Sequence, residues 1–292
     1  MSQLAEQTRA ISVTKLHPVI GVEIPGVDLS LPLREETLRQ IKDAWHEHTV
    51  LLFRDQDLSE EDQRRFASHF GPVAKRVPPK PGAKGATDAL EWDNMMIISD
   101  HVDANGKALG SLGHGEMWFH TDTSATIDGR IARRSFTASK FHPRAVTRKY
   151  SSMYAAYENV PADLKRRLAG AMGMQGQQYG VGRRIDITLP LESTHHCAQP
   201  IFVTNPGSGR KALYVASQNS MWIDGMDRDE SEVLLQQLFA IAEDPAIIYE
   251  HVWRPGDLVM WDNLACLHAR TDWPSEQRRT LRRCTVEGGP LY

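Results

Sequence analysis

The feature that most constrains the fold is a set of possible metal ligands split between the middle and the end of the chain. His120 and Asp122 form a His-x-Asp pair, and His268 lies far downstream. Residues i and i+2 of a β-strand project to the same face, so one strand can deliver both side chains of the pair to one point. Two imidazoles and a carboxylate can hold one face of an Fe(II) ion. The sequence therefore predicts a fold that brings His268 to the strand end carrying His120.

A His-x-Asp pair alone is weak evidence for a metal site, and the chain contains a second one at His101 and Asp103. Asp103 is followed by Ala104-Asn105-Gly106, a pattern typical of a turn in which Asp accepts local backbone hydrogen bonds. We therefore assign the metal to the His120 pair and a turn to the His101 pair. The alternative for His120 is a partly buried histidine that is hydrogen-bonded to Asp122.

Two arginines follow His268 at short spacing near the end of the chain. Arg279 comes eleven residues after His268, and Arg283 comes four residues after Arg279. On a strand, both arginines would share one face. Interior arginines need an anionic partner, and a guanidinium matches a carboxylate with two parallel hydrogen bonds. The sequence thus predicts an anion site, and an arginine-rich surface strand is the alternative.

Composition narrows the class of protein further. The net charge of −3 provides no general basic surface for nucleic acid, and the three cysteines have no C-x-x-C spacing, which favours a reducing compartment. The first residues lack the pattern of a signal peptide, and no apolar run approaches the roughly 18 residues of a membrane span. We expect a cytoplasmic protein without nucleic-acid or membrane partners, and a homo-oligomer is compatible with the sequence.

Hydrophobic periodicity divides the chain into many short strands and a few helices. Helices are predicted at 35–48, 161–169 and 229–243, and Ser59 with Asp62 makes a capping pattern for another. Strands are predicted at 19–24, 50–53, 95–99, 213–215, 249–253, 256–261 and 279–286. Without alternation of strands and helices, this pattern favours a mostly β fold with flanking helices around a closed double sheet. We expect one domain covering residues 1–292.

Together these residues resemble the taurine dioxygenase family, which includes the 2,4-dichlorophenoxyacetate and dichlorprop enzymes. The resemblance runs from 21–29 through 50–56 and 66–72 to the C-terminal arginines. It implies a double-stranded β-helix, the jelly-roll or cupin-like core. It also implies an Fe(II) enzyme with 2-oxoglutarate and O2 as co-substrates. The metal ligands that it implies are His120, Asp122 and His268.

The resemblance also implies roles for residues around the metal. Arg279 would pair with the side-chain carboxylate of 2-oxoglutarate, and Thr147 would also contact 2-oxoglutarate. Arg283 would contact the co-substrate or an anionic head group of the substrate. Glu116 lies four residues before His120 and would share its face on a strand, where it could meet an amine or hydroxyl of the substrate. A surface carboxylate is the alternative for Glu116.

One segment departs from the family pattern. Residues 129–149 hold seven Lys and Arg but no Asp or Glu. Arg144-Ala145-Val146-Thr147 stands where the family has a Gly-Gly-x-Thr motif. The threonine therefore keeps its position in the sequence, but the residue types before it differ from those of the family. Compensating reading-frame shifts and genuine divergence would both produce this result. On composition alone, we interpret the segment as a solvated loop surface, with an anion-binding lid as the alternative. Residues 75–90 are also predicted to form a loop.

The expected reaction is oxidation of a small organic acid, by hydroxylation with or without subsequent bond cleavage, with release of succinate and CO2. Desaturation and isonitrile formation also occur in the family, and the ligands do not distinguish them. Asp122 argues against a halogenase, which needs a small residue at that position. A non-catalytic anion-binding protein is an alternative of another class. A zinc hydrolase would give no reason for Arg279 at its fixed distance from His268.

Overall fold

The computed structural model describes residues 10–75, 94–99, 103–106, 110, 115–125, 147–178, 182–272 and 280–287, and the backbone alone for 131–141 and 288–290. The helices in this part of the chain are α1 (Glu35–His48), α2 (Glu60–Ser68), α3 (Met153–Asn159), α4 (Ala162–Arg167) and α5 (Arg228–Ala242). The strands are β1 (Thr14–Lys15), β2 (Val22–Glu23), β3 (Val50–Phe53), β4 (Met95–Ser99), β5 (Met117–His120), β6 (Ile131–Phe141), β7 (Thr147–Ser152), β8 (Met172–Gln177), β9 (His195–Pro200), β10 (Phe202–Thr204), β11 (Lys211–Leu213), β12 (Ser220–Ile223), β13 (Ile248–Val252), β14 (Leu258–Asp262), β15 (Cys266–Arg270) and β16 (Thr280–Pro290).

Two large sheets form the centre of the molecule. The first has the strand order β1-β2-β3-β14-β6-β16-β4, and the second has the order β13-β7-β15-β5. Their strands pair antiparallel except for β2 with β3. One apolar cluster contains Leu52 and Trp261 of the first sheet together with Tyr150 and Cys266 of the second. The two sheets therefore face each other across a shared interior, as a closed double sheet requires.

β14 shows how the sequence makes a strand that is buried on both sides. Leu258 and Met260 belong to the cluster that lies under α1 and α2, whereas Val259 and Trp261 point into the interior between the sheets. Each side chain is fully buried, and burial of such a side chain stabilises the fold by roughly 1.5–3 kcal/mol. The absence of polar alternation in this strand follows from apolar layers on both faces.

The second sheet is covered on its outer face by α3, α4 and α5. Leu267 and Ala269 of β15 belong to the cluster that contains Leu235 and Leu238 of α5. The intervening residue of β15, His268, projects to the opposite, interior side. The alternation of β15 therefore places the polar side chain of His268 inside the molecule while the neighbouring apolar residues anchor the strand to the helices.

Several predicted elements are confirmed. α1 has the predicted bounds, and Ser59 and Asp62 form a reciprocal capping box at the start of α2. α5 begins one residue before its predicted start and ends one residue before its predicted end. Among the described residues, no helix has the length and apolar composition to cross a bilayer. The cytoplasmic location and the single domain stay predictions.

The interpretation of 129–149 as a loop surface or lid is wrong for residues 131–141 and 147–149. Residues 147–149 begin β7. Residues 131–141 form β6, which pairs with β14 on one side and β16 on the other. Backbone pairing on both sides fixes this strand, and local composition does not report such long-range pairing. Residues 76–90 of the predicted 75–90 loop lie outside the described residues.

Candidate metal centre

β5 and β15 are neighbours in the second sheet and carry the two predicted histidine ligands. His120 is the last residue of β5 and the register partner of His268 at the centre of β15. Their ring centroids lie 4.1 Å apart. Asp122 completes the group, and one ligand atom from each of the three residues lies within 4.8 Å of the others. The fold thus brings together the three ligands predicted from the sequence.

Asp122 reaches this point from a turn and not from the strand. β5 ends at His120, and the turn that follows contains Thr123 with φ of 64°. A positive φ is strained for a β-branched residue, so surrounding contacts must hold the turn. The side-chain oxygen of Asn219 accepts a 3.2 Å hydrogen bond from the backbone N–H of Thr121. The prediction that one strand delivers both ligands is therefore wrong for the carboxylate.

The imidazole of His120 is held in the state that a metal requires. Its Nδ1 lies 2.8 Å from the backbone oxygen of Trp118, which can only accept, so Nδ1 carries the proton. Burial lowers the pKa of His120 to about 4, against the opposing effect of Asp122. The ring is therefore neutral near pH 7, and its Nε2 lone pair is free to bind a metal.

His268 is buried, and neither of its ring nitrogens has a hydrogen-bond partner among the described residues. Its Nε2 lies 3.6 Å from Oδ2 of Asp122, and its ring centroid lies 4.9 Å from that of Trp261. Burial holds the pKa of His268 well below its usual value, and nearby His120 adds to this effect. A buried neutral imidazole without a partner is costly, and metal coordination would remove that cost.

Asp122 is ionised and paired with Arg283. The Nη1 atom of Arg283 lies 3.0 Å from Oδ1 and 2.9 Å from Oδ2 of Asp122. Burial alone would raise the pKa of Asp122, but the charge of Arg283 holds it below its usual range. One carboxylate and two neutral imidazoles are a donor set that fits Fe(II) and leaves part of its coordination sphere open.

Two further arginines line the interior beside this group. Arg148 of β7 is the register partner of Arg270 of β15, and both are buried. Arg270 donates two hydrogen bonds to the backbone oxygen of Gly115, whereas Nε and Nη1 of Arg148 have no hydrogen-bond partner among the described residues. Burial and the neighbouring Arg148 lower the pKa of Arg270 to about 10. The interior wall near the metal ligands is therefore strongly cationic.

Comparison with known proteins identifies the family. Residues 12–285 match the family described as "Taurine catabolism dioxygenase TauD, TfdA family". The chain belongs to this family. The sequence resemblance is therefore confirmed over nearly the whole chain.

Members and structural neighbours align with the chain almost from end to end. Pentalenolactone F synthase of Streptomyces avermitilis is 32% identical, with 94% of each protein covered. The alpha-ketoglutarate-dependent 2,4-dichlorophenoxyacetate dioxygenase of Burkholderia sp. (strain RASC) is 28% identical, covering 96% of this chain and 95% of that protein. The crystal structure of AAD-2 in complex with Mn(II) and N-oxalylglycine superposes with a TM-score of 0.77 at 25% identity, covering 97% of this chain and 98% of that one.

Membership in the TauD/TfdA family confirms three predictions. The fold is mostly β with a jelly-roll, cupin-like core. The protein is an Fe(II)- and 2-oxoglutarate-dependent dioxygenase, so its cofactors are Fe(II), 2-oxoglutarate and O2. The triad of His120, Asp122 and His268 is the metal-binding group that the structure offers for this chemistry.

Among the described residues, the predicted site residues Thr147 and Glu116 are not seen beside the triad. Arg279 lies outside the described residues. The Thr147 hydroxyl lies 3.1 Å from that of Thr271, on the strand face opposite to the interior residue Tyr150. Glu116 is exposed just before β5 begins. The structure does not bring Thr147 and Glu116 to the triad, and their contacts with co-substrate and substrate stay predictions.

The second His-x-Asp pair is described only at its aspartate. The side chain of Asp103 accepts a 2.8 Å hydrogen bond from the backbone N–H of Asn105, and its backbone oxygen accepts one from Gly106. This is the predicted turn. His101 lies outside the described residues.

Sequence reasoning missed the two interior arginines that are not part of the C-terminal motif. Arg270 could have been found, because it lies two residues after His268 and shares its strand face. Arg148 carried a weaker signal, since it lies within a basic segment that composition alone assigns to the surface. The pairing of β7 with β15, which is a long-range contact, brings these two cations together.

Proposed function

We propose that this enzyme oxidises a small organic acid at an Fe(II) ion held by His120, Asp122 and His268. The observation that carries the proposal is the arrangement of His268. This imidazole is fully buried beside Asp122 with both ring nitrogens unpartnered among the described residues. A structural histidine would donate to a backbone or side-chain acceptor.

The chain supplies binding and orientation around the metal. Three protein ligands leave the remaining positions for the keto acid and for O2. We assign the side-chain carboxylate of 2-oxoglutarate to Arg279. When bound, iron and 2-oxoglutarate supply the oxidising power: one oxygen atom of O2 enters succinate as CO2 is lost, and the other enters the substrate. The buried rings of Trp261 and Tyr150 exclude water from the interior side.

The class of substrate follows from the charge of the interior. Arg148 and Arg270 are register partners on neighbouring strands and both are buried, and the carboxylate of Asp122 already pairs with Arg283. This excess of buried positive charge favours anionic ligands. The Burkholderia relative is named for 2,4-dichlorophenoxyacetate, which is also a small carboxylate. We therefore expect a small organic anion, and Glu116 would meet an amine or hydroxyl on it.

The oxidation could end in hydroxylation or in desaturation of the substrate. The relative from Streptomyces avermitilis is named as a synthase of pentalenolactone F, so family members also serve biosynthesis. Hydroxylation transfers one oxygen atom to the substrate, whereas desaturation removes two hydrogen atoms and forms water instead. We propose hydroxylation, and mass analysis of the product distinguishes the two outcomes by the gain of one oxygen or the loss of two hydrogens.

The proposal is tested by measuring succinate release and O2 consumption with a panel of small acids and their matched amides. We expect turnover that requires both Fe(II) and 2-oxoglutarate, with the acids preferred over the amides. His268→Ala should abolish turnover. His17→Ala, which alters a histidine outside the interior near the start of the described chain, should leave it unchanged. Equal turnover of acids and amides would rule out the anionic substrate, and metal-independent turnover would rule out the mechanism.

A further inference from the structure

Arg283 contacts Asp122 in the structure. Its predicted role, binding an anionic group of the co-substrate or substrate, does not explain this contact. A single nitrogen, Nη1, lies within 3.0 Å of both carboxylate oxygens, and the side chains are only 14% and 13% exposed. The other terminal nitrogen, Nη2, lies 3.3 Å from the sulfur of Met96. The guanidinium is therefore directed at the metal-binding carboxylate itself.

The two residues come from different sheets, so their contact crosses the interior. Arg283 belongs to β16 of the first sheet, where its register partner on β4 is Met96. Asp122 lies in the turn after β5 of the second sheet. The preceding arginine, Arg282, points to the other side of β16 and donates to the backbone oxygen of Leu58. Neighbouring strands on both sides of β16 thus fix the position from which Arg283 reaches Asp122.

A carboxylate can bind a metal through one oxygen or through two. With two histidines and a two-oxygen Asp122, four of six coordination positions would be filled by protein. A chelating keto acid and O2 together need three positions, so Asp122 must bind through one oxygen. A charge-assisted hydrogen bond from Arg283 to the other oxygen would enforce this.

We propose that Arg283 is a positioning residue. It holds one oxygen of Asp122 by a hydrogen bond, so that the carboxylate binds the metal through its other oxygen only. This inference rests on the proposed metal site, and it gives Arg283 a role before any co-substrate or substrate binds. The role in which Arg283 directly contacts an anion predicts an effect only after that anion is added. The two roles are therefore separable by experiments on the enzyme with metal alone.

The experiment titrates the metal-free enzyme with Co(II), whose visible absorption reports its coordination number, and then adds 2-oxoglutarate. We expect Arg283→Gln to bind Co(II) about tenfold more tightly than wild type, because the competing cation is gone and both oxygens of Asp122 become available. The Co(II) spectrum should change before 2-oxoglutarate is added. The affinity of the Co(II)-loaded variant for 2-oxoglutarate should fall about tenfold, because one position is lost.

Two variants serve as controls for charge and for folding. Arg283→Lys keeps a charged donor and should restore the wild-type Co(II) spectrum. Arg282→Gln removes the neighbouring buried guanidinium from the opposite face of the same strand, so it should lower the melting temperature without altering the Co(II) spectrum. In an Asp122→Asn background, Arg283→Gln should no longer change Co(II) affinity, because the amide nitrogen cannot take the place of the second oxygen as a ligand.

The result that overturns the inference is an Arg283→Gln enzyme with the wild-type Co(II) affinity and spectrum. If that enzyme then loses 2-oxoglutarate or substrate affinity alone, Arg283 contacts the anion directly. If wild-type enzyme binds no Co(II), the proposed metal site itself is wrong, and this failure is distinct from the first.

Discussion

Arg283 and Arg148 both reach the space between the two main sheets, but they come from opposite sheets and have different partners. Arg283 of β16 pairs with Asp122. Arg148 of β7 lies with its guanidinium 5.4 Å from the ring centre of Trp261, beside Arg270, and two of its nitrogens have no hydrogen-bond partner among the described residues. One buried cation is in direct contact with a carboxylate, and the other keeps two nitrogens without a hydrogen-bond partner among the described residues.

The difference follows the sequence pattern. Arg283 stands at the spacing from His268 that the family resemblance implies, whereas Arg148 lies in 129–149, the segment that departs from the family pattern. A buried guanidinium without a carboxylate lowers stability unless an anion enters the site. Arg283 is therefore part of the metal centre, whereas Arg148 is a buried cation without a carboxylate in direct contact among the described residues.

The largest effect is expected from Asp122→Ala, which removes a metal ligand and leaves Arg283 without its carboxylate. Metal binding and turnover should be lost, and the free energy of unfolding of the metal-free protein should fall by about 3 kcal/mol, as for other broken buried pairs. Denaturant unfolding and metal titration measure the two effects. Asp103→Ala, at the second His-x-Asp pair, should retain metal binding, and equal loss in both variants would contradict the assignment.

A second effect concerns Arg279, which the sequence pattern predicts to share a strand face with Arg283. Arg279→Ala should weaken 2-oxoglutarate binding at least about thirtyfold, because a buried carboxylate loses a charged donor with two hydrogen bonds. Arg279→Lys should recover only part of the affinity, since an ammonium group cannot reproduce the planar fork. The measurement is 2-oxoglutarate affinity by calorimetry. An unchanged affinity in Arg279→Ala would remove Arg279 from the co-substrate site.

A third effect concerns pH and the buried imidazoles beside Arg283. The pKa of His120 is about 4 in the folded protein, because of burial, against 6.5 for an ordinary histidine. Between these values the unfolded chain binds more protons than the folded one, so the free energy of unfolding of the metal-free protein should fall as pH drops from 6.5 towards 4. The contribution of His120 is roughly 2–3 kcal/mol.

Unfolding curves at several pH values, recorded with a chelator, check this expectation. His120→Asn should show a smaller loss of stability over the same pH range, because it removes one of the groups that gain a proton on unfolding. A variant with the full wild-type pH dependence would show that the acid sensitivity comes from other groups.

The smallest effect is expected from Arg148→Met, and its sign is opposite to that of Asp122→Ala. Arg148 is a buried guanidinium with two nitrogens that lack a hydrogen-bond partner among the described residues, so replacing it with an apolar side chain of similar length should raise the free energy of unfolding by roughly 1–2 kcal/mol. Thermal and denaturant melts of the metal-free protein measure it. If the variant is less stable, Arg148 has a partner in the folded protein. If it is more stable but loses 2-oxoglutarate affinity, Arg148 serves the co-substrate.

The amino-acid sequence by itself determined the features that depend on near neighbours. The bounds of α1 follow from its periodicity, the start of α2 follows from Ser59 and Asp62, and the buried run of β3 reflects continuous apolar residues. The metal triad was also predicted, since His120 and Asp122 are close in sequence and His268 stands at a fixed distance before Arg279. Residue type and spacing carry this information without any knowledge of the tertiary structure.

Only the tertiary structure decided which side chains meet across the interior. Composition assigned 131–141 to a loop, but hydrogen bonds to β14 and β16 on its two sides make it a central strand. The contact of Arg283 with Asp122 and the proximity of Arg148 to Arg270 depend on strands that are distant in the sequence. The physical reason is that cross-strand and cross-sheet contacts are set by the register and closure of the whole sheet, which no local pattern specifies.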